Sequence, residues 1–211
     1  MKYNWFALKL VIICVVVWIA QNIFDITDEF ALVSADVLSR PWTIITHIFL
    51  HGSFQHLFFN MFALAMFGSI LEKIIGGKKF LLVFFASGAF ASLGTIFFYN
   101  ASIGASGAIY GIFGVLAVIR PKMPVFAGMF VPMPMIVAVS LWAAGDLLGV
   151  FAPSETIAYA SHLFGLFFGI LYGFYIRGKY REERREIENR ISERQFRNWE
   201  DEWVKLSDPY L

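Results

Sequence analysis

Apolar residues in this chain fall in long, nearly unbroken blocks. They do not alternate, as along a half-exposed strand, and they do not follow the three-to-four spacing of a helix with one wet face. The blocks cover about 5–20, 55–70, 80–98, 106–119, 135–151 and 157–176. A helix that is apolar all round lies inside protein or lipid, and several blocks approach the roughly 20 residues that cross a bilayer. The pattern predicts an all-α polytopic membrane protein, a bundle of six transmembrane helices. Residues 42–54 differ from the other connections. They are apolar but broken by Thr43, Thr46, His47, His51, Gly52 and Ser53, too polar to face lipid and too apolar for a free loop. A partly buried or interfacial segment lying on the membrane domain is expected there. Residues 22–41 read as a mixed loop, 123–134 as a Pro-rich turn and 152–156 as a short turn.

After residue 176 the character changes. The stretch 177–211 carries 9 Lys/Arg interleaved with 9 Asp/Glu. Two domains follow: a membrane domain, 1–176, and a charged, helical cytoplasmic tail, 177–211. Ile187, Ile191, Trp199 and Trp203 fall at spacings compatible with one helical face. The tail fits a solvated helix laced with ion pairs, an interfacial helix on the leaflet or a partner-binding helix.

Composition agrees with the pattern. With 58% hydrophobic residues and 24 Phe in 211 residues, a soluble domain could not hide its apolar surface. A net charge of +1 says nothing about nucleic acid, but the sequence lacks the basic aromatic patch that such a partner needs, and none is expected. The single Cys14 excludes an internal disulfide and makes no metal site by itself. Lys2 and Lys9 before an apolar run imitate a signal peptide, but Trp18-Ile19-Ala20-Gln21 is a poor cleavage site, so a retained first span is expected. Six spans put both termini on one side, and 16 of the 17 Lys/Arg, all but Arg40, then share it. By the positive-inside rule that side is cytoplasmic. The acidic loop 22–40 and the connections near Asn100 and Pro153 are then outside.

The candidate chemistry starts at Gly104-Ala105-Ser106-Gly107, a serine bracketed by glycines at the start of the fourth block. Alone, it reads first as helix packing, since Gly and Ser line membrane-helix contacts. His162 lies near the same end of the sixth block, and an imidazole inside a span is costly enough to need a reason. Gly107 and Gly111 on one block, and Gly165 and Gly169 on the other, allow two helices to approach closely. Ser106 and His162 could then come within hydrogen-bond reach, the imidazole serving as base for a weak nucleophile. No Asp or Glu is placed at their depth, so a Ser-His dyad is expected, with the Tyr110 ring stacking on the imidazole. His56 and Asn60, four residues apart at the start of the second block, together with the Ser106 N–H, could stabilise an oxyanion. Asp146 reads as interfacial or hydrogen-bonded.

These residues carry a family resemblance. Gly104-Ala105-Ser106-Gly107 resembles the Gly-x-Ser-Gly signature of rhomboid intramembrane serine proteases. The stretch from His51 to Asn60 resembles the family's second-span His/Asn element, and Ala160-Ser161-His162 with Gly165 and Gly169 its sixth-span element. Gly68, Glu72 and Gly76 resemble the motif that closes the second span. The resemblance implies a rhomboid-like bundle with an embedded loop between spans one and two. It implies Ser106 as nucleophile, His162 as general base, and His56, Asn60 and Ser106 as oxyanion groups. Tyr110, Gly104, Gly107 and Gly165 would support them, with no metal and no cofactor. Expected partners are transmembrane protein substrates and the lipid bilayer of a cell membrane, with both termini cytoplasmic and the active site opening outward. The fifth span and the loop near Pro153 would be gate and cap. Many members carry Trp-Arg where this chain has Trp42-Thr43, so the loop's conformation is left open, as are substrate identity and oligomeric state. Two other readings stand beside this one: a non-proteolytic, client-binding relative, and a metal or transport protein built on His47, His51 and His56.

Overall fold

The structure, a computed structural model, describes residues 4–127, 131–152 and 157–207. It divides into a unit ending at Phe174 and a second beginning at Tyr175. Six main helices are labelled here α1 (Phe6–Phe24), α2 (Phe54–Ile75), α3 (Gly77–Phe98), α4 (Ser106–Ile119), α5 (Met135–Phe151) and α6 (Tyr159–Ser207). Four of them, counting α6 to Gly178, are long and apolar enough to cross a membrane, and α4 and α5 are shorter apolar helices. Helices α4 and α5 keep the limits that hydropathy assigns, whereas α1 and α2 run several residues further. The tail continues as helix to Ser207, and the shared face expected of Ile187, Ile191, Trp199 and Trp203 lies outside the described side chains.

The bundle has a clear inside. Half of α3 is buried but only 22% of α1, so α3 is central and α1 peripheral. Phe80, Val83 and Phe84 on α3 and Ile112, Val115 and Leu116 on α4 are shut away completely. Ile12, Val16, Leu148, Phe167 and Phe174 point outward, as lipid-facing side chains must. Most polar groups inside are paired, since an unmet one in an apolar interior costs a few kcal/mol; His51 Nε2 and Ser87 Oγ are the buried exceptions among the described residues. The buried Glu72 places one carboxylate oxygen 3.1 Å from the Phe6 N–H and the other 3.0 Å from that of Ala7. The end of α2 thus caps the start of α1, whose leading N–H groups have no intrahelical partner. Helix α2 also carries one wide, π-helical turn at Leu64–Gly68.

Two small antiparallel ribbons complete the unit. β1 (Leu32–Val33) pairs with β2 (Ala101–Ser102), setting Leu32 opposite Ser102 and Val33 opposite Ala101. β3 (Pro124–Ala127) pairs with β4 (Val131–Pro134), where the sequence predicts only a Pro-rich turn. The segment 42–54 folds as a short helix, Thr43–Thr46, and a tight turn, His47–Phe49, with Thr43, His47, Ile48, Leu50 and His51 buried and Trp42 exposed. With Thr43 following Trp42, the arginine in this part of the chain is Arg40. The Arg40 guanidinium pairs with the Asp36 carboxylate and donates to the Asp28 carbonyl at 2.8 Å, and the Thr43 hydroxyl donates to the Arg40 carbonyl at 2.7 Å.

Candidate active site

Ser106 is the first residue of α4, and the chain before it is fixed by the loop. The Gly104 N–H donates to the His47 carbonyl at 2.8 Å, and the β1–β2 pair sits three residues upstream. Gly104 itself adopts φ +124°, a conformation that strains any L side chain. A Cβ there would lie 2.7 Å from Cε1 and Nε2 of His56. The His56 imidazole therefore rests against the backbone that presents Ser106.

Helix α6 reaches α4 along a seam of glycines. A Cβ on Gly165 would strike the Gly107 carbonyl, and one on Gly169 the Gly111 carbonyl. The arrangement is less symmetric than the sequence implies. The glycines of α6 face the backbone of α4, while a Cβ on Gly107 or Gly111 would run into Ala91 or Ser87 of α3. Two packed hydroxyls tie α6 to α3 beside this seam, with Thr95 Oγ1 2.8 Å from Ser161 Oγ. The Ala160 N–H donates to the Tyr99 hydroxyl at 3.0 Å, which fixes the start of α6.

This approach puts His162 Nε2 2.9 Å from Ser106 Oγ. The imidazole stacks on Tyr110, with centroids 4.4 Å apart and planes 14° from parallel. Its other nitrogen, Nδ1, lies 3.2 Å from Asp146 Oδ2 on α5. The Tyr110 hydroxyl neighbours the same carboxylate. The sequence reading put no acid at this depth, and the structure corrects it. A signal was available. The chain leaves α5 and enters α6 at one end of the bundle; Asp146 is five residues from the end of α5 and His162 three from the start of α6. At about 1.5 Å per residue their depths differ by only roughly 5 Å or less.

Ser106, His162, His56 and Asn60 line one open cavity of about 790 Å³, with Phe59, Tyr99 and Ile103 among its other walls. Ser53 caps α2 below it, its hydroxyl accepting from the His56 N–H at 3.1 Å. One N–H of the Asn60 amide is spent on the His56 carbonyl at 2.9 Å, which leaves a second donor. The remaining histidines serve the loop. His47 Nδ1 is 2.7 Å from the Thr43 carbonyl, and His51 Nδ1 is 3.2 Å from that of Phe49. Burial pushes both imidazoles down to about 4, so they are neutral near pH 7. Gln21, at the end of α1, accepts from the His51 N–H at 3.0 Å. Among the described residues no three His, Cys, Asp or Glu side chains gather as a metal site would need.

Comparison with known proteins places this chain in a family. The Rhomboid domain matches residues 38–179. The chain belongs to the rhomboid family. It is 28% identical over 176 residues to the yeast protein named Rhomboid protein 1, mitochondrial (Saccharomyces cerevisiae), covering 79% of this chain and 51% of that one. It is 28% identical over 179 residues to the Rhomboid protease GlpG of Yersinia pestis, covering 80% of this chain and 61% of that one. The chain thus spans about half of the length of these rhomboid relatives. Family and apolar helices together make it a membrane protein. Two parts of the candidate site were not read from the sequence: Asp146 beside the imidazole, and the β1–β2 ribbon that leads the chain to Ser106.

Proposed function

We propose that this rhomboid is an intramembrane serine protease that hydrolyses peptide bonds in or near the transmembrane segments of other membrane proteins. One observation carries the reading: Ser106 Oγ lies 2.9 Å from His162 Nε2 on the wall of an open cavity between membrane helices. That is the reach a base needs to take a hydroxyl proton. A substrate segment must leave its helical form, because a helix hides its carbonyls in internal bonds. Ser106 Oγ attacks the exposed carbonyl carbon, and its proton passes to His162 Nε2. The oxyanion is met by the free N–H groups at the start of α4, by the His56 imidazole and by the second Asn60 N–H. The C–N bond then breaks, and the departing amine takes the proton from Nε2. Water entering through the cavity attacks the acyl-Ser106 ester, gives a proton to Nε2, and returns the hydroxyl to Ser106 as the acid leaves. The reaction needs no metal or cofactor. All six apolar helices are taken as spans of a cell membrane, with both termini cytoplasmic and the cavity opening outward. Helix α5 acts as gate; the cap near Pro153 lies outside the described residues.

The test is cleavage of a single-span test substrate in liposomes by wild type, Ser106→Ala and His162→Ala, with and without EDTA. Wild type should cleave, each variant should lose at least about 10³-fold in turnover, and the chelator should change nothing. Normal cleavage by Ser106→Ala would overturn the reading. If folded wild type binds substrates without cutting any in a broad panel, a client-binding role takes its place.

A further inference from the structure

Asp146 stands where a dyad needs nothing. It is 6% exposed, on a helix otherwise apolar around it, and an acid there is expensive unless something holds it. Its carboxylate faces the candidate base and its support: Oδ2 lies 3.2 Å from the imidazole Nδ1 of His162, and the hydroxyl of Tyr110, whose ring stacks on that imidazole, is its neighbour. A carboxylate only accepts, so Nδ1 carries the proton and donates it to Oδ2. In a neutral imidazole this leaves Nε2 with its lone pair, facing Ser106 Oγ at 2.9 Å. We infer that Asp146 is a positioning residue that completes a Ser106–His162–Asp146 triad across three helices. It fixes the imidazole tautomer that can act as base, and it stabilises the imidazolium formed when the Ser106 proton arrives. The carboxylate stays ionised through that step: the proton moves from Oγ to Nε2, and the Nδ1–H remains on nitrogen. The inference rests on the Ser106–His162 reading and adds a third member to it.

A purely structural role is the alternative, since a polar group bridging α5 and α6 could serve as packing glue. The two roles part at Asp146→Asn, which keeps size and hydrogen bonding. With its oxygen on the Tyr110 hydroxyl, the Asn NH₂ turns to Nδ1 and favours the tautomer protonated at Nε2. The experiment uses the full chain in detergent micelles, labelled with ¹⁵N-histidine, beside the liposome cleavage assay. Nitrogen spectra of wild type should show His162 protonated at Nδ1 and bare at Nε2, and Asp146→Asn should change that pattern. Turnover of Asp146→Asn should fall by at least about 10²-fold with KM within about twofold. Asp146→Glu should recover at least tenfold over Asn, whatever its melting temperature. A wild-type His162 protonated at Nε2 overturns the inference. So does full turnover by Asp146→Asn, or a loss in Asn, Glu and Leu variants that simply follows their melting temperatures. The two readings fail separately. If Ser106→Ala cleaves normally, the Ser106–His162 reading falls, and the triad with it. If Ser106→Ala is dead and Asp146→Asn works at the wild-type rate, only the role of Asp146 falls.

Discussion

Tyr110 does two jobs with one side chain. Its ring lies flat on the His162 imidazole and its hydroxyl reaches Asp146. The ring in turn rests on Phe113, which packs edge-on against Phe67 of α2 and against Trp142 of α5. The plate beneath the base is therefore braced from two other helices. Tyr110→Phe should keep the stacking and lose only the hydroxyl's share, whereas Tyr110→Leu removes the plate and frees the imidazole to tilt. On the proposed mechanism, turnover of the test substrate should fall by ~10- to 100-fold in Leu, and clearly less in Phe, because small misplacements of a catalytic group cost that much. Equal losses in both variants would mean that the hydroxyl, not the ring, sets the imidazole. At this scale the candidate residues were legible in the sequence. Ser106, His162, His56, Asn60 and Tyr110 all stand out as polar groups inside apolar blocks, and Asp146 stands out for the same reason. Its partner could not be read, because a carboxylate's meaning depends on what faces it.

Between elements, glycine decides where helices can touch. The seam of α6 on α4 admits no side chain at Gly165 or Gly169, since the facing carbonyls of Gly107 and Gly111 occupy that space. Gly145, on α5, has nothing within 4 Å of where its Cβ would be. Gly169→Leu should therefore separate the helices and lower stability by about 3 kcal/mol or more. Gly145→Ala should be neutral or stabilise by up to about 1 kcal/mol through helix propensity. Thermal or SDS unfolding of the two variants checks the contrast. The loop 42–54 makes a second prediction at this scale. His47 and His51 are buried and held down to about 4, below the 6.5 of a free imidazole. Between those values the unfolded chain binds more protons than the folded one, so stability falls as pH drops from about 6.5 toward 4. Melting temperature should decline over that interval, and a His47→Gln variant that stays folded should flatten the decline. No change in slope would assign the acid sensitivity elsewhere.

Across the whole molecule, length and charge set the frame. Helix α4 has 14 residues, about 21 Å, against a bilayer core of about 30 Å. If α4 spans, one of its ends lies below a surface, and the β1–β2 ribbon with the loop 42–54 lines the way down to Ser106. The charge pattern sets the proposed orientation. It can be read with a membrane-impermeant maleimide on a Cys14→Ser background, using whole cells. Asn100→Cys should label from outside, and Lys78→Cys only after the membrane is opened. The reverse pattern would invert the topology.

The sequence by itself determined the class of the molecule, its six apolar blocks, the candidate nucleophile and base, and the glycines that let them meet. These follow from periodicity, from the cost of polar groups among apolar ones, and from the size of a side chain, all local properties. Tertiary structure decided the rest. It set the loop's histidines on backbone carbonyls and made Glu72 the cap of α1. It used Arg40 to hold the loop and paired two parts of a Pro-rich stretch as antiparallel strands. It also brought Asp146 from α5 to the imidazole of α6. Each of these is a pairing between residues distant along the chain. Which donor meets which acceptor is settled by the rotation and depth of whole helices, and no local pattern specifies those.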